Sequence, residues 1–188
     1  MPYRTDTAKL RNISCFFISK YSFILFVLFC NVSALYSQGR HRQSREVFHE
    51  VSNKLVVQQI YPEAIQVQQV NEYWYRILDK NQRTLGFAMI STTHCDHIIG
   101  YAKATPVMII TDLKGKILNV AILSHWETLS YIQMLENAGF FKSWNGKSLK
   151  EARKVEPDGY SGATVTAIAV KKNVEFLLEN GTKSLPGR

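Results

Sequence analysis

The residues of this chain best suited to chemistry lie in one run, Asp158-Gly159-Tyr160-Ser161-Gly162-Ala163-Thr164, in a turn that leads into a final helix. The Ser161-Gly162 pair lets the backbone turn tightly and lets a large group come close. Ser161 is placed to cap the helix, whose first N–H groups form an anion site suited to a phosphate. The hydroxyl of Thr164 falls at that same end. Taken alone, the run is also what an ordinary capped helix start requires.

A second block lies upstream, where an apolar hairpin runs into Ser124, His125, Trp126, Glu127 and Thr128. Its plainest reading is a strand-to-helix junction with Thr128 as the helix cap. A third cluster, His94, Cys95, Asp96 and His97, has the ligand types of zinc or copper sites. Strand alternation would split it, with His94 and Asp96 on one face and Cys95 and His97 on the other, so no metal site is expected. The chain has no Gly-rich phosphate loop of the nucleotide-binding types, and no Ser/His/Asp set can be assigned.

The run DGYSGAT resembles the attachment sequence of the FMN-binding domain family, found in the C subunit of the sodium-translocating NADH:quinone reductase, the G subunit of the Rnf complex and membrane regulators of nitrous oxide reduction. In that family a flavin transferase recognises Asp-x-x-Ser/Thr-Gly-Ala-Thr and joins FMN to the last Thr through a phosphoester. The resemblance implies that Thr164 carries the flavin and that Asp158, Ser161, Gly162 and Ala163 form the recognition turn, with Thr166 helping to close it. The upstream block is similar to the family's His-x-Glu-Thr. Asp96 and His97, Ile99 to Tyr101, and the SWNGKSL run resemble the branch of the nitrous oxide regulators, so the likeness extends over about residues 96–180. The likeness puts His125 in the cofactor site; physically, Glu127 and Thr128 are suited to bond the polar edge of the flavin ring or to fix its ribityl chain, while Trp126 and Tyr131 offer flat faces that exclude water from it. Leu129 and Ser130 stand where the quinone-reductase branch has Pro-Gly.

The elements that must position these residues follow from periodicity. Val47, Val51, Leu55, Val56 and Ile60 recur at helical spacing and predict a helix ending before Pro62. Ala64–Val70, Tyr73–Leu78 and Leu85–Ser91 read as antiparallel strands. Pro106–Thr111 and Lys116–Leu123 form a hairpin around Asp112 to Gly115. Helical spacing resumes from Leu129 to Gly139, Phe140–Gly146 reads as a loop, a short helix starts near Ser148, and the last helix runs from about Ala163 to Glu179. The expected fold class is α+β, a small mostly antiparallel sheet with packed helices.

The chain has 188 residues and a formal charge of +8, but that charge is uneven. Residues 1–45 hold seven Lys/Arg and one acid, whereas residues 46–188 hold sixteen Lys/Arg and fourteen acids. The basicity thus surrounds the N-terminal segment, which argues against nucleic-acid binding. Arg4, Lys9 and Arg11 precede an apolar run centred on Tyr21–Cys30, followed by Ser33, Ala34 and Ser37, the layout of a secretory signal. An uncleaved membrane anchor is the alternative. The sequence therefore divides into a signal peptide or anchor (1–37), a linker (38–45) and an FMN-binding domain (46–188). Cys95 is the one thiol outside the leader, so no internal disulfide is expected once the leader is removed. The resulting expectation is an exported or membrane-anchored FMN carrier, a redox protein rather than an enzyme in its own right. It would be matured by a flavin transferase and act with membrane or periplasmic redox partners. The alternative is a module that binds FMN reversibly or regulates, without carrying electrons.

Overall fold

Apolar residues dominate Val107–Thr111, and that strand is buried along its whole length because the chain covers both of its faces. In the computed structural model, residues 48–157 and 163–186 are described, and all fall within one unit, Arg45–Arg188. The elements are β1 (His49–Glu50), α1 (Asn53–Ile60), β2 (Gln66–Gln69), β3 (Trp74–Leu78), β4 (Thr84–Ile90), β5 (Val107–Thr111), β6 (Ile117–Ile122), β7 (Ser124–His125), α2 (Leu129–Asn137), α3 (Leu149–Ala152) and α4 (Thr164–Gly181). Strands β2 to β6 form an antiparallel meander in sequence order, and β1 pairs with β7 in a separate two-stranded sheet. The α+β class expected from the sequence is what the chain adopts.

Strand alternation divides the core into two layers. Trp74, Met89, Val107 and Ile109 point to one face and pack with Val170, Val174, Leu177 and Leu178 of α4. Ile77, Ala88, Met108 and Ile110 point to the other and pack with Val56 and Val57 of α1. Two aspartates shape the turns. Asp79 Oδ1 accepts from the N–H groups of Asn81 and Arg83 at 2.8 and 2.9 Å, and Asp112 Oδ1 does the same for Lys114 and Lys116, both at 2.8 Å. This is the side-chain mimicry of a backbone turn that Asp supplies. Gly115, at φ +80°, provides the left-handed residue that the second turn requires.

Three expectations need correction. Residues 49–52 do not belong to the first helix. The Val51 N–H donates to Leu123 O at 2.7 Å, and His49–Glu50 pair with Ser124–His125, so the chain stays extended until α1 starts at Asn53. Residues 92–97 are turns rather than strand, because Ser91 O accepts from the N–H groups of both His94 and Cys95, and Thr93 lies at φ +70°. Phe140–Trp144, expected to be a loop, is a 3-10 helix that buries Phe140 and Trp144. The short helix near Ser148 forms as expected and carries a reciprocal capping box between Ser148 and Glu151.

Candidate functional site

The hairpin β5–β6 delivers its last residues into β7, and the chain then turns through Trp126 and Glu127 to enter α2. Glu127 is 1% exposed, and a carboxylate that deep requires donors. Its Oε1 accepts from the Tyr101 N–H at 2.7 Å and from the Thr105 hydroxyl at 3.3 Å, while its Oε2 accepts from the Thr166 hydroxyl at 2.5 Å. One side chain thereby joins three segments: the loop after Ile99, the start of α2, and the first turn of α4. Gly100 makes this possible by having no side chain. A Cβ there would stand 2.1 Å from Glu127 Oε1 and 2.5 Å from Thr105 Oγ1.

The loop itself is tight. Gly100 N–H donates to Lys103 O at 2.8 Å, and Ile99 bridges Ala104. This brings the Lys103 Nζ to 3.7 Å from the centre of a Trp126 ring, a cation–π contact, with Phe48 against the same indole at 5.1 Å. Tyr101 is 62% exposed while its backbone N–H is held by Glu127. Tyr131 is half-buried against the α4-side core.

His125 is buried, stacks on His49 with ring centres 4.9 Å apart, and lies 3.2 Å from the Glu127 N–H through Nδ1. For Nδ1 to accept that bond the ring must be neutral, with its proton on Nε2. Burial lowers the His125 pKa below the ordinary histidine value of 6.5 and the neighbouring His49 adds to this, with Glu127 opposing. Thr128 occupies the N-cap position of α2, as the sequence suggested, yet its hydroxyl makes no capping bond and the residue is exposed.

Thr164 is the first residue of α4, and it is exposed. The N-cap residue, Ala163, is buried and offers no side-chain acceptor to the first N–H groups of this 18-residue helix. Val165 and Ile168 flank Thr164 at 52% and 47% exposure, whereas Thr166 turns inward to Glu127. Asp158, Ser161 and Gly162 lie outside the described residues, as does the leader. The chain just before them is pinned to α4 by Lys171, which bonds Glu156 and pairs with Glu175 at 3.6 Å.

The structure thus brings Glu127 and Thr166, two residues singled out separately in the sequence, into direct contact, and places His125 and Thr128 next to Glu127 along the chain. Thr105, Lys103 and His49 were not singled out. Nothing in the spacing of Thr105 or His49 marks partners 22 and 76 positions away, since each pairing is set by the fold. The cluster at 94–97 splits up. His94 packs between Tyr73 and Phe176, and Cys95 is buried with its thiol pKa pushed up to about 11 by burial.

Residues 100–179 match the family model of the FMN-binding domain. The match opens at Gly100 and includes Tyr101, Thr105, Glu127, Thr164 and Thr166. Strands β1 to β4 precede it. No curated protein matches the chain.

Proposed function

We propose that this chain, which carries an FMN-binding domain over residues 100–179 and takes FMN as its cofactor, is an electron carrier with FMN joined through its phosphate to Thr164 and working outside the cytoplasmic membrane. The observation that carries the reading is the position of Thr164, exposed at the start of an 18-residue helix whose N-cap residue has no acceptor of its own. A helix start attracts a phosphate through its aligned N–H groups and its positive dipole end. The residues present therefore fit the group.

When bound, FMN supplies one- or two-electron chemistry at its ring. The protein's part is attachment and orientation. The Thr164 hydroxyl is the ester oxygen. Glu127 is a positioning residue: by holding the Thr166 hydroxyl and the Tyr101 N–H it fixes the first turn of α4 against the loop that presents the Tyr101 ring. Both of its oxygens accept from this chain, so it also acts on the flavin through Thr166 and Tyr101. Val165, Ile168 and the Tyr101 face are the exposed apolar surfaces near which a flat ring would lose water. Attachment requires a flavin transferase, and electrons come from and go to separate redox partners. Export rests on the charge and apolar pattern of residues 1–37.

The test is intact mass and in-gel flavin fluorescence of the denatured protein after co-expression with a flavin transferase. Wild type is expected to gain one FMN-sized increment and to fluoresce, and Thr164→Ala to do neither. Wild type without the increment, beside a control substrate that is flavinylated, sinks the covalent carrier.

A further inference from the structure

A groove of about 700 Å³ lies at the end of α4 remote from Thr164, bounded by the β5–β6 turn, α3 and the segment after α4. At 18 residues α4 spans about 27 Å, which separates this groove from the Thr164 turn. Trp74, Phe87 and Leu149 line it, and Leu113 and Leu185, 55% and 57% exposed, stand at its mouth. Among the described residues, the charged side chains lining it are Lys114, Lys150 and Arg153, with no Asp or Glu beside them.

These three cations belong to one corner of the fold. Leu149 Cδ1 comes within 3.7 Å of where a Cβ on Gly115 would stand, so the turn bearing Lys114 rests on α3. Lys150 in α3 and Arg153 at its C-cap lie three positions apart, on the same side of the helical turn. Among the described residues none of the three is ion-paired. The two nearest carboxylates along the chain are engaged elsewhere, Asp112 with the N–H groups of Lys114 and Lys116, and Glu151 with the N–H and hydroxyl of Ser148.

Among the described residues, neither the apolar hollow nor the three cations that line it has a partner. A molecule with an apolar tail and an anionic head satisfies both. We propose that this groove binds a single-chain amphipathic carboxylate of the fatty-acid class, with its tail along Trp74, Phe87 and Leu149 and its head against Lys114, Lys150 and Arg153. The volume lies within the usual range of small-molecule sites. Among the described residues, the lining of the groove includes neither Glu127 nor Thr164.

Dodecanoate, below its micellar concentration, is the probe. The chain is expressed in full, purified as the cell processes it, and titrated by calorimetry, with tryptophan fluorescence as a second readout because Trp74 lines the groove. Wild type is expected to bind one equivalent. The double variant Lys150→Glu/Arg153→Glu should bind about tenfold more weakly or worse, and so should dodecan-1-ol, which has the same tail and no charge. Leu113→Asp, at an exposed position, should weaken tail binding without unfolding the protein, as circular dichroism would report. The assignment is overturned by absence of saturable dodecanoate binding, by equal binding of the alcohol, by an unchanged charge-reversed variant, or by binding to phosphatidylglycerol vesicles with none to free dodecanoate.

Discussion

The two ends of α4 are held by opposite means. At its start the helix is tied by the Thr166 hydroxyl on the buried Glu127, and that carboxylate is in turn shared with Tyr101 and Thr105. At its finish Leu177, Leu178 and Gly181 lie in the apolar layer with Trp74 and Met89, and the Trp74 indole N–H donates to Gly181 O at 2.9 Å. Packing is non-directional and tolerates small displacements, whereas a buried carboxylate shared by three donors does not. The polar end is therefore the one where geometry is set most narrowly, and it is the end that carries Thr164.

The largest break in this comparison is Glu127→Ala. It removes the acceptor and leaves the buried Thr105 and Thr166 hydroxyls and the Tyr101 N–H without it, a loss of about 3 kcal/mol in urea unfolding. Glu127→Gln keeps the shape and one acceptor oxygen, and its new amide can donate to the Thr166 hydroxyl once that turns, so about 1 kcal/mol is expected. Flavinylation of Thr164 should fall in the order wild type, Gln, Ala. An Ala variant as stable and as fully flavinylated as wild type would remove Glu127 from its positioning role.

Next in size is a matched pair of glycines. Gly100→Ala drives a methyl to 2.1 Å from Glu127 Oε1, an atom already fixed by donors, and should cost about 2 kcal/mol as an overpacked site. Gly181→Ala meets Met89 Sδ at 2.3 Å, at first sight an equal clash. Methionine is unbranched and adaptable, and Ala in a helix gains up to about 1 kcal/mol over Gly. The Gly181 variant should thus stay within about 1 kcal/mol of wild type and keep full flavinylation. Equal losses at both glycines would mean that the two ends are equally rigid.

The same contrast explains what the sequence disclosed. Helix α4, the β5–β6 hairpin and the Asp112 turn are written locally, in periodicity and turn chemistry, and each formed close to its expected bounds. Glu127 and Thr166 were visible as candidates through family likeness, but their bond spans 39 positions, and neither residue carries a mark of the other. His49 was masked by a helical repeat beginning at Val47. The pairing of β1 with β7 overrode that repeat, because tertiary hydrogen bonds outweigh a weak local preference. Thr93, at φ +70°, is a β-branched residue in a conformation that propensity disfavours, and strand alternation failed there for that reason.

The smallest expected effect sharpens the comparison by pH. His125 holds a pKa below the ordinary 6.5, so above that value neither the folded nor the unfolded chain carries its proton and the His125 contribution is fully present. As pH falls below 6.5 the unfolded chain takes up a proton that the folded chain resists, and stability declines until the folded pKa is passed. Protonated Nδ1 can no longer accept the Glu127 N–H, and among the described residues His49, Glu127 and the Glu136 and Lys142 side chains of the adjoining cavity are the charged or titratable groups around it. Exchange of the Glu127 amide, corrected for its intrinsic rate, should therefore quicken from pH 7 to pH 5 while amides near Gly181 hold theirs. His125→Asn retains an acceptor oxygen for that N–H and cannot titrate, so the slope of stability against pH should flatten. An unchanged slope would assign the acid sensitivity to other groups and leave the polar end of α4 no more responsive to protons than the apolar one.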